Sequence, residues 1–345
     1  PAPYVFNLGE FAMKKSLIAL AVLAASGAVM AQSSVTLYGV VDLGVGRVDY
    51  NPATLGVKRP NVKTQMHGNA IVNNGASRIG FRGVEDLGGG LKVGFNYEQS
   101  INAENGAAIS GYGRQANVWV EGGFGQFKMG RAFTPSYNGM EVWELLGAPG
   151  YSVVGNTYGF VGRSSARNNS QFSYKTPVFG GFSGEIGFVT KGDYHLNGKN
   201  HKIDANLIYA NGPLGVGFSY NKVSKEKANY ALGAKYDFGM FTLAASYNDA
   251  RNHEVTDDEG NALGVNRRSG FTIGGLVKFD NVSVALDVAR DTKHQNAYDS
   301  TVKYKKYTNA VVEAKYALSK RTFLYADYLR LDSTNNYGVG LRHNF

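Results

Sequence analysis

From Val35 onward the chain repeats segments of about ten residues in which every second side chain is apolar or aromatic. Leu91, Val93, Phe95 and Tyr97 alternate with Lys92, Gly94, Asn96 and Glu98, and Leu214, Val216, Phe218 and Tyr220 alternate with Gly215, Gly217, Ser219 and Asn221. Ile203, Ala205, Leu207 and Tyr209 follow the same rule, as do Tyr230, Leu232, Ala234 and Tyr236, and Phe241, Leu243, Ala245 and Tyr247. Side chains on a strand alternate between faces, so each segment predicts a strand with one greasy face and one wet or small-residue face.

A soluble β-sandwich shows the same alternation. Three details favour a membrane barrel. The segments match the ~9 to 11 residues that a tilted strand needs to cross a bilayer. Tyr97, Tyr209, Tyr220, Tyr236 and Tyr247 sit near the ends of their apolar faces, where an interfacial girdle belongs. Short and long connections also alternate. Short turns are expected at 85–90, 211–213, 237–239, 280–281 and 318–320, and long polar loops at 51–76, 102–114, 192–202, 250–268 and 292–305. The expectation is an all-β transmembrane antiparallel barrel of about sixteen strands, with its turns on one side and its loops on the other.

Composition agrees with many strands and turns: among 345 residues there are 45 Gly, 22 Tyr and 19 Phe. The absence of cysteine excludes disulfides and thiolate metal sites, leaving the hydrogen-bond ladder as the stabilising element. The net charge of +9 is scattered, with Asp or Glu mostly nearby, which argues against nucleic-acid binding.

The N-terminus reads as an address label. Met13-Lys14-Lys15 precedes an apolar run from Leu17 to Ala25, and Ser26-Gly27-Ala28-Val29-Met30-Ala31 supplies small residues for cleavage, with Ala31 and either Val29 or Ala28 at the recognition positions. The run is too short for a spanning helix. Residues 1–12 are set aside as upstream additions, 13–31 as a signal peptide, and 32–345 as the barrel domain, beginning at Gln32 after cleavage.

The last segment, Tyr337 to Phe345, carries apolar or aromatic residues at alternate positions up to the final residue. A strand running to the last atom suits a barrel that closes on its first strand. It also resembles the C-terminal aromatic signal read by the outer-membrane assembly machinery.

Val35-Thr36-Leu37-Tyr38-Gly39-Val40-Val41-Asp42, the stretch from Ser77-Arg78-Ile79-Gly80-Phe81-Arg82 through Leu91, Leu318-Ser319-Lys320-Arg321-Thr322 and the terminal strand together resemble the general porins of β-proteobacteria, the group including neisserial and Burkholderia-type porins. The resemblance spans the chain after the signal segment. It implies a sixteen-stranded homotrimer in the lipid and lipopolysaccharide of the outer membrane, anion-preferring or weakly selective toward small anionic and neutral solutes, with the third loop folded into the pore.

The residues outline how such a pore would work. The stretch 132–162 is the third long connection, and a structureless segment of that size is usually functional. It carries Glu141 and Glu144, while Val142, Trp143, Leu145 and Leu146 suit packing inside the barrel. On the wall, Ile79 and Phe81 toward lipid put Arg78 and Arg82 in the lumen, and Lys128 is opposite in phase to Phe127 and Met129. The family resemblance adds Arg114 and Arg167 as constriction arginines beside Arg78. Arginine keeps its proton and is weakly hydrated, so an excess of it over carboxylate lowers the barrier for anions.

No catalytic constellation is visible. His67, His195, His201, His253, His294 and His343 are isolated, without metal-ligand spacing, and no nucleophile elbow or phosphate loop occurs. The acidic run 256–261 lacks the spacing of a calcium hand. The expectation is a passive channel without cofactor, metal or enzymatic activity. The competing readings are a barrel acting through its loops as an adhesin or enzyme, and a soluble periplasmic β-protein.

Overall fold

The computed structural model describes residues 34–50, 62–109, 111–159, 161, 166–190, 201–256 and 262–345. The expected signal peptide, His195 and most of the acidic run, 257–261, lie outside these residues.

Sixteen long antiparallel strands build one wall. In chain order they are β1 (Ser34–Arg47), β2 (Arg78–Gly88), β3 (Leu91–Ile101), β4 (Gln115–Gly122), β5 (Gly125–Phe133), β6 (Arg167–Lys175), β7 (Phe182–Val189) and β8 (Lys202–Asn211). There follow β9 (Leu214–Val223), β10 (Asn229–Asp237), β11 (Phe241–Thr256), β12 (Ala262–Phe279), β13 (Val282–Asn296), β14 (Thr308–Ala317), β15 (Thr322–Leu331) and β16 (Thr334–Asn344). Two short pieces, Gln65–His67 and Ala108–Ile109, pair onto β1 and β3.

Each strand pairs with the next, and β16 returns to β1 in register from Val40↔Asn344 to Arg47↔Tyr337. Gly39 and Phe345 exchange two backbone hydrogen bonds of 3.1 and 3.0 Å, so the terminal residue closes the cylinder. Closure satisfies the ladder without an open edge, the condition for a sheet to cross lipid.

Burial inverts the soluble-protein rule. On β9, Phe218 is 40% exposed while Ser219 beside it is fully buried, and on β12 Ile273 is 67% exposed against 5% for Thr272. The greasy phase faces outward and the polar phase inward on strand after strand, which a soluble sandwich cannot tolerate. Aromatic contacts mark both rims of the greasy band. Phe182–Tyr209, Tyr236–Phe238 and Phe238–Phe241 gather at the turn end, and Tyr97–Tyr112 and Tyr247–Phe271 at the loop end. In the tight β2–β3 turn, Gly88, Gly89 and Gly90 all have positive φ, which side chains rarely adopt.

Two expectations are corrected. The stretch 250–268 is mostly a hairpin rather than a loop, since β11 continues to Thr256 and β12 begins at Ala262; likewise β13 runs to Asn296. Polar strands can extend the ladder beyond the greasy band because water or ion pairs satisfy their side chains. Arg251 and Arg267 both pair with Asp249, at 2.8 and 2.9 Å, and Arg268 pairs with Asp291 at 2.9 Å. The connection after β5 is also not structureless. It contains α1 (Pro135–Met140), capped where Thr134 Oγ1 accepts from the Tyr137 amide, and α2 (Val153–Tyr158), capped where Ser152 Oγ accepts from the Gly155 amide.

This connection packs on the polar phase of the strands, within the cylinder. Asp204 Oδ1 on β8 accepts from the Ser136 amide at 2.6 Å, and Ser219 Oγ on β9 donates to the Ser136 carbonyl at 2.8 Å. Further along, the Tyr151 hydroxyl donates to Glu313 on β14 at 2.6 Å, and the Tyr158 hydroxyl to the Arg290 carbonyl on β13 at 2.9 Å. Trp143 is 1% exposed and lies over Gly217 and Gly233. A side chain at Gly233 would occupy the space of its indole ring.

Candidate functional site

Between the connection and the opposite wall lies a cavity of about 550 Å³, whose lining includes Arg78, Arg114, Arg167, Arg342 and Glu141. Alternation places two of the arginines. On β2, Phe81 faces outward, so Arg78 faces inward, and on β16 the outward Val339 and Leu341 turn Arg342 inward. Arg114 and Arg167 stand where β4 and β6 begin.

Each arginine is held by a specific neighbour. Arg114 Nε is 2.5 Å from Glu98 Oε1, and Arg78 Nε is 3.5 Å from Glu98 Oε2. Arg342 Nη1 donates to Asn74 Oδ1 at 3.0 Å. The Arg167 guanidinium lies 4.0 Å from the centre of the Phe133 ring. Glu98 is itself only 7% exposed, so it holds two cations from behind and offsets part of their charge. Glu141 is the carboxylate among the lining residues, and Arg167 is the cation that acts on it. Burial raises the Glu141 carboxyl above the usual range, while hydrogen bonding from Tyr137 and the nearby Arg167 pull it partway back.

The seven residues singled out from the sequence therefore divide. Arg78, Arg114, Arg167 and Glu141 come together around the cavity. Arg82 is on the inner phase but further toward the turn end of β2, with its guanidinium 5.3 Å from the Tyr38 ring. Lys128 is also inward, opposite Trp119, and is absent from the cavity lining. Glu144 does not face the water path. It is 6% exposed, folded under the connection, and accepts from the Ala148 amide. Its burial follows from its neighbours Trp143 and Leu146, which drag this part of the loop against the wall. Burial also raises its carboxyl above the ordinary range.

Arg342 is the residue that sequence reasoning missed. The signal was present, since Val339 and Leu341 fix its phase, but a strand read for its terminal Phe345 drew attention away from it. Among the described residues, no group of three or more His, Asp or Glu side chains is arranged to hold a metal ion.

Comparison with known proteins agrees with this architecture. The family model described as Gram-negative porin matches residues 17–336. The chain is 33% identical to outer membrane porin protein 32 of Delftia acidovorans, over 96% of this chain and 93% of that protein. It is 31% identical to major outer membrane protein P.IB of Neisseria meningitidis serogroup B, over 96% of this chain and all of that protein. Among solved structures, an anion-selective porin from Comamonas acidovorans superposes with a TM-score of 0.70 at 25% identity, covering 91% of this chain and all of that one. A closed sixteen-stranded barrel and relatives matching nearly its whole length show that this chain belongs to the family of Gram-negative porins.

Proposed function

We propose that this outer-membrane porin is a passive diffusion channel for small hydrophilic solutes and ions that favours anions, narrowed where the β5–β6 connection approaches Arg78, Arg114, Arg167 and Arg342. The observation that carries this reading is the imbalance around the cavity, four arginines against two carboxylates, Glu141 in the lining and Glu98 behind Arg78 and Arg114. At ~6 Å from a passing ion, in surroundings between protein and bulk water, each uncompensated charge contributes roughly 1 kcal/mol, favourable for an anion and unfavourable for a cation. The arginines stay protonated and are held by Glu98, Asn74 and Phe133, so the field does not depend on mobile side chains. The similar barrel from Comamonas acidovorans is an anion-selective porin, which supports the same preference. Arg82 and Lys128 fit a secondary role, adding positive potential along the path beyond the narrow section.

Transport of this kind needs no bond making, cofactor or metal. The family resemblance favours assembly as a homotrimer in lipid and lipopolysaccharide. It also favours export through residues 13–31 and recognition of the strand ending at Phe345 by the assembly machinery.

Planar-bilayer recording of the detergent-extracted protein under a salt gradient tests the reading. Stepwise conductance with a reversal potential of anionic sign is expected. Correctly folded protein that forms no channels would overturn the proposal, and a cationic reversal potential would overturn the assigned preference.

A further inference from the structure

The β1–β2 connection, which the sequence reads as a polar loop over 51–76, turns into the cylinder at its far end. His67, Val72, Asn73 and Asn74 are all buried there, whereas the polar side chains of a loop standing in water stay wet. Val72 lies over Gly46 on β1 and Gly338 on β16, which pair directly across the closing seam on the inner phase. A methyl group at either glycine would come within 3.2 or 3.0 Å of its side chain.

This inward turn meets the β5–β6 connection. The Gly150 amide donates to the Asn73 carbonyl at 3.0 Å, and a side chain at Gly150 would stand 2.6 Å from the Ala70 carbonyl oxygen. Asn74 Nδ2 donates to the Tyr151 hydroxyl at 2.6 Å, and Tyr151 passes its own proton to Glu313 at 2.6 Å. Residues 69, 70 and 74–76 line the cavity on this side.

The turn also separates two opposite charges. Asp42 on β1 and Arg342 on β16 are direct cross-strand partners on the inner phase, a placement that favours an ion pair. Among the described residues no salt bridge joins them. Asp42 Oδ1 instead accepts from Tyr325 at 2.6 Å and from Asn73 Nδ2 at 3.2 Å, while Arg342 Nη1 donates to Asn74 Oδ1 at 3.0 Å. Two consecutive amides therefore take up the partners that would otherwise take each other. A carboxamide suits the second position because it donates to Tyr151 and accepts from Arg342 on one planar group without adding charge.

We propose that residues 69–76 are a second jaw of the narrow section, and that Asn74 is a positioning residue which, with Asn73, keeps Arg342 away from Asp42 and turned to the passage. An arginine paired with a carboxylate on the wall contributes little to the field over the cavity, so the separation preserves the preference for anions. The proposal rests on the channel reading and deepens it.

Reversal potentials under a salt gradient test both parts. Asn74→Leu matches the amide in size, adds no charge and can neither donate nor accept. It should lower the anion-to-cation permeability ratio at least roughly fivefold, toward the value of Arg342→Ala, and have little effect when added to Arg342→Ala. An unchanged ratio in folded Asn74→Leu, or an equal fall in the Arg342→Ala background, would overturn the positioning role. The jaw is tested without disturbing the buried asparagines. The chain has no cysteine, so Asn69→Cys, at an exposed lining position, can be modified alone by an anionic or a cationic methanethiosulfonate reagent. Both reagents should reduce single-channel conductance, the anionic one lowering the anion preference and the cationic one raising it. Thr64→Cys, exposed on the same connection but outside the lining, should respond much less. Equal responses at the two positions would overturn the jaw. A wild type without channels overturns this proposal together with the channel reading, whereas anion-preferring channels indifferent to all these changes overturn this proposal alone.

Discussion

The placement of Trp143 over Gly217 and Gly233 makes the inner connection depend on two positions where the wall has no side chain. Gly233→Ala adds one methyl group, directed into the indole ring. The β10 backbone cannot retreat, because it is paired on both sides to β9 and β11. The loop must give instead. Inserting a methyl group into a filled site costs about 1–3 kcal/mol, and removing a buried Trp side chain outright costs about 3–5 kcal/mol. In Gly233→Ala the indole is therefore displaced in a sizeable fraction of molecules, while Trp143→Ala loses the anchor completely. If the clash is the cause, adding Gly233→Ala to Trp143→Ala costs little more, giving a coupling of about 1–3 kcal/mol in the double-mutant cycle. The chain has two tryptophans, so a Trp119→Phe background leaves Trp143 as the reporter. Acrylamide quenching of its fluorescence should increase in Gly233→Ala, accompanied by noisier open-channel current. An indole that stays protected, or additive costs in the cycle, would refute this account of how the loop is anchored.

Other consequences follow from the same geometry. Because Glu141 titrates above the usual carboxylate range, lowering the pH from neutral neutralises it early and removes the main negative charge facing the arginines, so anion preference should rise as pH falls. Glu141→Gln should show the raised preference at neutral pH and lose this part of the pH dependence; a preserved pH response would exclude Glu141 as its source. Arg268→Ala leaves Asp291 and Asp332 buried without their shared cation, which should cost about 3–5 kcal/mol and lower the thermal unfolding temperature, with partial recovery on adding Asp332→Asn. Deleting Phe345 removes the two hydrogen bonds to Gly39 at the closing seam, so refolding yield in detergent should fall while any assembled barrels conduct normally.

Much of this was legible in the chain because a barrel writes its faces directly into alternate residues. Phe218 and Ser219, or Phe81 and Arg82, reveal their sides without any knowledge of partners. The inner connection was less legible. Its helices are each six residues long and held by single caps at Thr134 and Ser152, too short for a periodic signal. Glu141 and Glu144 looked equivalent, yet one reaches the cavity and the other is pulled under the loop by Trp143, a difference set by packing that has no signature in spacing. Arg114 and Arg167 lie where strands begin, where alternation does not apply, and only family resemblance pointed to them. Arg342 illustrates the opposite case, a residue whose phase was readable but whose approach to Arg78 required the β16–β1 seam to be closed.

The central claim is that fixed arginines around the cavity create the preference for anions. Its most direct test is the reversal potential under a salt gradient in wild type, Arg78→Ala, Arg342→Ala and the control Arg82→Ala. With about 1 kcal/mol acting in opposite directions on the two ions, each cavity arginine removed should lower the anion-to-cation permeability ratio by roughly thirtyfold, while Arg82→Ala changes it much less. Equal small effects at all three positions, or an unchanged ratio when both Arg78 and Arg342 are gone, would contradict the account.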